Sequence, residues 1–168
     1  MIEIIPVGGF SEIGRNCTIV KWKEEAVMLD FGLMMENYVR LTEDGDMQFN
    51  LSEEVLIREQ AVPDLHALDE ELKCVKALCV SHAHLDHIGA IPFFTSKLKM
   101  PIHGTKFTIE VLRALLADKR KNIDSQLIMH PENCTFVVSK NLKVEFIHIT
   151  HSIPQAVLIA IHTPEGVV

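Results

Sequence analysis

Residues 81–90 read Ser81-His82-Ala83-His84-Leu85-Asp86-His87-Ile88-Gly89-Ala90. Three histidines and an aspartate fall within the six positions from His82 to His87. Neutral imidazole and carboxylate are both good ligands for zinc and similar divalent ions. The stretch follows a short apolar run, residues 75–80 (VKALCV), which reads as a buried strand. Open α/β sheets place ligand sites outside the carboxyl ends of such strands. His82 and His84 are two residues apart, so on extended backbone they point the same way and can share one ion. Asp86 and His87 stand where the chain enters a helix and can face a second ion. Two ions about 3.5–4 Å apart lower the pKa of a water and clamp the oxygens of a phosphate under attack. The competing reading is a set of structural histidines closing a strand end.

Further along the chain, His148 and His151 compete for the remaining ligand role. Val144–Ile149 reads as a strand that contains His148, whereas His151 lies past its end in His-Ser-Ile-Pro, where a site belongs. His151 is the favoured ligand. His66, His103, His130 and His162 have no such context and read as surface or core histidines. Asp30 directly follows the apolar residues 26–29. It can orient a ligand histidine from behind, or it can be a turn aspartate accepting backbone N–H bonds. Both readings stand.

The amino-terminal third is β-rich. Residues 2–7, 17–22 and 26–29 read as strands, with Gly8-Gly9 at the first bend. Residues 34–73 are polar and acidic with weak periodicity; Ser52–Gln60 is a short helix candidate that Pro63 closes off. A helix is expected over residues 87–97, opened or bent by Pro92, and a brief strand after Pro101. Thr105 can cap the next helix, whose Phe107, Val111, Leu112, Leu115 and Leu116 recur at helical spacing. Residues 156–161 (AVLIAI) form a continuous apolar run, the mark of a strand covered on both faces.

With 168 residues the chain fits a single domain. No apolar window is long enough for a membrane span, and the start lacks a secretory signal, so a cytoplasmic protein without membrane association is expected. The four cysteines form no Cys-x-x-Cys pair and read as buried free thiols. A net charge of −7 argues against nonspecific nucleic-acid binding. The charge is unevenly spread. Residues 36–72 hold eleven acids against Arg40 and Arg58, and residues 97–122 hold seven bases against Glu110 and Asp118. The basic segment can meet a polyanion or be a solvated helix face. Gly166-Val167-Val168 reads as the beginning of a strand, so the chain is expected to be a piece of a longer protein.

His82-Ala83-His84-Leu85-Asp86-His87 resembles the His-x-His-x-Asp-His signature of the metallo-β-lactamase superfamily, with Asp30 and His151 at its first and third motifs. Residues 8–16 (GGFSEIGRN) resemble the amino-terminal signature of the β-CASP nucleases. Asp86-His87-Ile88-Gly89-Ala90-Ile91-Pro92 and His151-Ser152-Ile153-Pro154 are most similar to the ribonuclease J family, especially its archaeal members. A polyadenylation-factor type of endonuclease shares the glycine-rich signature but not His-Ser-Ile-Pro. A glyoxalase-type hydrolase would carry nearly the same metal motif without that signature.

The resemblance implies an α/β fold, the αββα sandwich of the metallo-β-lactamases. Residues 1–168 would be its amino-terminal portion, a mixed β-sheet with flanking helices. It implies two Zn2+ per complete site, Mn2+ being accepted by the same ligands. His82, His84 and His151 would hold one ion, and Asp86 and His87 the other. Asp86 and Asp30 would be the carboxylates the catalysis needs. It also implies hydrolysis of RNA, mainly 5′→3′ from a 5′-monophosphorylated single strand and sometimes endonucleolytic, by a homodimeric protein. A bridging aspartate and a last histidine ligand have no counterpart in residues 1–168. Weak binding of the second ion and little or no nuclease activity are therefore expected of these residues alone.

Overall fold

The computed structural model describes residues 1–43, 51–66 and 68–168; Asp44 and Asp46 of the acidic segment lie outside them. The chain begins with an antiparallel meander of β1 (Ile2–Gly8), β2 (Cys17–Trp22) and β3 (Glu25–Leu29). From β3 onward the connections cross over through helices and the strands return parallel. Helices α1 (Met35–Glu43), α2 (Glu53–Arg58) and α3 (Asp69–Cys74) lead to β4 (Val75–Cys79). The single-turn helix α4 (Leu85–Ile88) precedes β5 (Ile102–Thr105), and α5 (Lys106–Asp118) precedes β6 (Leu127–His130). These six strands make one mixed sheet in chain order. A second, antiparallel sheet follows, from β7 (Cys134–Val137), β8 (Lys143–His148), β9 (Val157–Thr163) and β10 (Gly166–Val167), in the order β10-β9-β8-β7.

The period of two along the strands decides the layering. Ile19, Met28, Leu78 and Ile102 face a helical layer that contributes Leu41, Leu56, Ile109, Leu112 and Leu116. Their neighbours Val20, Val27, Ala77 and Cys79 face Val144, Phe146, Val157 and Ile161 of the second sheet. Strands β3 and β4 are thus buried on both faces, as their unbroken apolar runs require. The result is three layers: helices, mixed sheet, antiparallel sheet.

Three expectations change. The apolar run at 156–161 forms β9, but only one face is covered: Val157 and Ile161 point inward and Leu158 is 52% exposed. The helix expected over 87–97 is instead one turn of α4 followed by a 3-10 turn at Ile91–Phe93. Backbone bonding to the segment after β3 replaces helical bonding: Phe31 N–H donates to His87 O at 2.7 Å and Ala90 N–H donates to Phe31 O at 3.1 Å. Pro92 has no N–H to continue a ladder. Thr105 is the N-cap of α5 by position, yet its hydroxyl donates to Gln155 O at 2.9 Å rather than capping the helix. That bond joins the end of β5 to the loop before β9.

Candidate metal centre

Every residue singled out for metal chemistry lies at a strand end or just beyond one. Asp30 directly follows β3, residues 81–87 follow β4, and His151 follows β8. His84 is the N-cap of α4, so Asp86 and His87 lie in its first turn. His82 Nε2 lies 3.0 Å from His84 Nδ1, and His151 Nε2 lies 3.3 Å from the same atom. All three nitrogens fit within 4.8 Å of one another. A tetrahedral ion with metal–nitrogen bonds of about 2.0–2.1 Å would space its ligands about 3.3 Å apart. The donor set therefore fits zinc. Exposure rises from His82, which is buried, through His84 to His151, which is exposed, so the group opens to solvent on one side.

Asp86 and His87 form a second donor pair beside the first. His87 Nε2 lies 3.4 Å from Asp86 Oδ2, and the His82 and His87 rings are 4.0 Å apart by centroid. His148, by contrast, turns to Glu132, 2.7 Å away, and is not part of either group.

Behind these donors a hydrogen-bonded chain sets which ring nitrogens carry protons. Asp30 Oδ2 lies 2.8 Å from His87 Nδ1 and accepts a 2.8 Å bond from the Ser81 hydroxyl. Asp30 Oδ1 accepts from Ser81 N–H at 2.7 Å. With its proton given to Asp30, Ser81 Oγ can only accept from His82 Nδ1, 2.9 Å away. One carboxylate thus fixes the tautomer of His87 directly and of His82 through Ser81, leaving both Nε2 lone pairs turned outward. Asp30 does this from a left-handed backbone conformation, φ 57°, which aspartate tolerates better than most non-glycine residues. Burial, then the neighbouring His87, push the His82 imidazole down to about 4, so it is neutral at pH 7 with its lone pair available. For His87 burial opposes the charged form, but the bond to Asp30 and the charges of Asp30 and Asp86 outweigh it and raise the value.

Two residues in this arrangement were not candidates on sequence: Ser81 and Asn16. Ser81 adjoins His82, but no spacing rule marks a serine as a tautomer relay. Asn16 ends the glycine-rich stretch 8–16, and its amide reaches Asp86 and His87 across 70 residues of chain. That stretch is pinned by Arg15, which donates to both Glu12 carboxylate oxygens at 3.0 and 2.6 Å.

A family model described as the metallo-β-lactamase superfamily matches residues 11–165. The chain belongs to that superfamily. It is 39% identical over 98% of its length to ribonuclease J of Methanocaldococcus jannaschii, and 36% identical over its whole length to ribonuclease J of Pyrococcus abyssi. It spans 37% of the length of each. Among solved structures, the metallo-β-lactamase fold protein YhfI from Bacillus subtilis covers 99% of the chain, at 15% identity and a TM-score of 0.61. This chain covers 60% of that one. The superfamily and the donor set agree on a metallo-β-lactamase fold with a group of histidines able to hold a metal ion.

The remaining candidates disperse. Three of the seven bases of residues 97–122 are engaged within the chain. Lys97 pairs with Glu53, Arg113 pairs with Glu110 and Asp124, and Lys119 lies over the Phe93 ring at 5.0 Å. His103 and His130 pair with each other, 2.8 Å apart, between the sheets. All four cysteines are free, and three are buried. No helix of the described residues is long and apolar enough to cross a membrane.

Proposed function

We propose that this chain is the amino-terminal, metal-binding portion of the metallo-β-lactamase domain of a β-CASP ribonuclease acting in RNA processing and decay. The observation that carries the reading is the convergence of His82, His84 and His151 beside Asp86 and His87, in a chain 39% identical to a ribonuclease J. The reaction is hydrolysis of RNA phosphodiester bonds, mainly 5′→3′ from a 5′-monophosphorylated single-stranded end, with internal cleavage as a second mode. Zn2+ is the proposed ion, two per complete site, with Mn2+ accepted by the same donors. The three histidines hold the first ion and Asp86 with His87 the second. Such ions would lower the pKa of a water and offset the charge that develops on phosphate oxygens. Asp30 keeps two ligand rings in the ligating tautomer. The whole protein is proposed to be a cytoplasmic homodimer.

Two donors are fewer than a catalytic zinc usually takes from protein. Residues 1–168 alone are therefore proposed to hold the second ion weakly and to have little or no nuclease activity. The test pairs this chain with a protein of the relatives' full length, each zinc-loaded, on RNA bearing 5′-monophosphate or 5′-triphosphate. Stepwise mononucleotide release from the monophosphorylated substrate by the longer protein, and none by this chain, is expected. Robust 5′→3′ digestion by residues 1–168 would sink the view that their site is incomplete. Thioester turnover without RNA cleavage by the longer protein would sink the ribonuclease reading.

A further inference from the structure

Asn16 makes more contacts with the metal motif than its place in the loop requires. Its backbone already ties residues 8–16 to the motif: Asn16 N–H donates to Asp86 O at 3.1 Å, and Asn16 O accepts from Gly32 N–H at 3.1 Å. Any residue but proline would make those two bonds. The side chain adds three contacts of its own. Nδ2 donates to Asp86 O at 2.9 Å and to Asp86 Oδ2 at 3.1 Å, and lies 3.2 Å from His87 Nε2.

An amide nitrogen carries two protons. One is directed at Asp86 O. The other serves Asp86 Oδ2 and His87 Nε2 together, two atoms 3.4 Å apart. These are the same two lone pairs that the second donor pair offers to an ion. His87 Nδ1 faces Asp30, so Nε2 is the nitrogen left to face Asn16. The three atoms form a triangle with sides of 3.1, 3.2 and 3.4 Å, so the amide nitrogen is within reach of both donors at once.

The loop is built to hold that amide still. Gly9 has φ 86°, and a Cβ there would lie 2.5 Å from Asn16 Oδ1. A Cβ at Gly8 would lie 2.2 Å from Arg15 O. The two glycines let the first strand end press directly on residues 15 and 16. The bidentate Glu12–Arg15 pair closes the loop on its other side.

We propose that Asn16 is the positioning residue of the second metal half-site. Its amide holds Asp86 and His87 converged before an ion arrives and yields the His87 lone pair when one does. Outer partners of this kind typically change metal affinity by roughly 10–100-fold. The proposal rests on the two-ion reading above and deepens it.

Zinc titration of the 168-residue chain by calorimetry at pH 8 tests it, with cobalt(II) absorption as a second readout. In Asn16→Ala the second equivalent should bind roughly 10–100-fold more weakly. The first equivalent, at the three histidines, should stay within about twofold, and its cobalt bands should not move. Asn16→Ser, which retains one donor, should fall between, and it decides by the same criterion where the alanine variant does not fold. An unchanged second equivalent, or equal weakening of both, overturns the assignment. A native chain that takes up only one equivalent overturns the proposal that Asp86 and His87 hold a second ion within residues 1–168, and the assignment of Asn16 with it.

Discussion

Asp30 Oδ2 stands 2.8 Å from His87 Nδ1 and 2.8 Å from the Ser81 hydroxyl, so one carboxylate oxygen receives two protons. Its other oxygen receives Ser81 N–H. All three partners donate, which only a carboxylate can satisfy. Asn at this position would turn an N–H toward an N–H or O–H in either orientation. Asp30→Asn should lower zinc affinity by about 10–100-fold. It should also cost about 1–3 kcal/mol of stability in the metal-free chain. Calorimetry and urea unfolding measure the two effects; affinity within twofold of native would show that Asp30 is only a turn residue.

His151 and His148 make a matched pair for a second test. Only His151 Nε2 joins His82 and His84; His148 Nδ1 is 2.7 Å from Glu132. His151→Ala removes a donor outright and should weaken the first zinc equivalent by more than the roughly 100-fold an outer partner costs. His148→Ala should leave it within about twofold. Equal effects from the two substitutions would place the third ligand elsewhere.

The strand ends that carry Asp30, His82 and His151 are legible in sequence, because each follows an apolar run whose burial fixes its register. The parallel connections are less so. Helix α1 buries only Leu41 and α3 only Cys74, so neither shows a broad apolar stripe. Strands β6 and β7 are four residues each and half-exposed, which leaves little alternation to read. The contraction of the expected 87–97 helix comes from backbone bonds to Phe31 and Leu33, partners that local propensity does not contain. The candidate ligand histidines announce themselves by spacing, whereas Asn16 and Ser81 enter the site only because folding brings residues 16, 30 and 81–87 together.

Gly32 offers a steric test of how tightly that junction is built. A Cβ there would lie 1.6 Å from Asp86 O, a backbone atom. No rotamer change relieves a clash with backbone, so Gly32→Ala must separate the segment after β3 from the metal motif. The expected cost is about 2 kcal/mol or more. Binding of the second zinc equivalent should fall with it, since Asp86 moves. A variant with native unfolding midpoint and native zinc binding would mean the junction has room that the structure does not show.

The His103–His130 pair predicts how stability responds to acid. His103 Nδ1 lies 2.8 Å from His130 Nε2, and both rings stack on Phe136 between the sheets. Burial, with the neighbouring His130, pushes His103 down to about 4, and burial lowers His130 as well. In the unfolded chain both return to the ordinary value near 6.5. Between those values the unfolded state binds more protons, so stability is complete above about pH 6.5 and falls as pH drops toward 4. His103 alone should account for a loss on the order of 2–3 kcal/mol by pH 4. The comparison is made differential, so that only the contribution of this pair is read. His103→Phe keeps an aromatic ring beside Phe136 and removes the proton acceptor. In metal-free protein its unfolding free energy should change less between pH 7.5 and 4.5 than that of the native chain, by that amount. Parallel pH profiles for the two proteins would mean that His103 protonates as readily folded as unfolded.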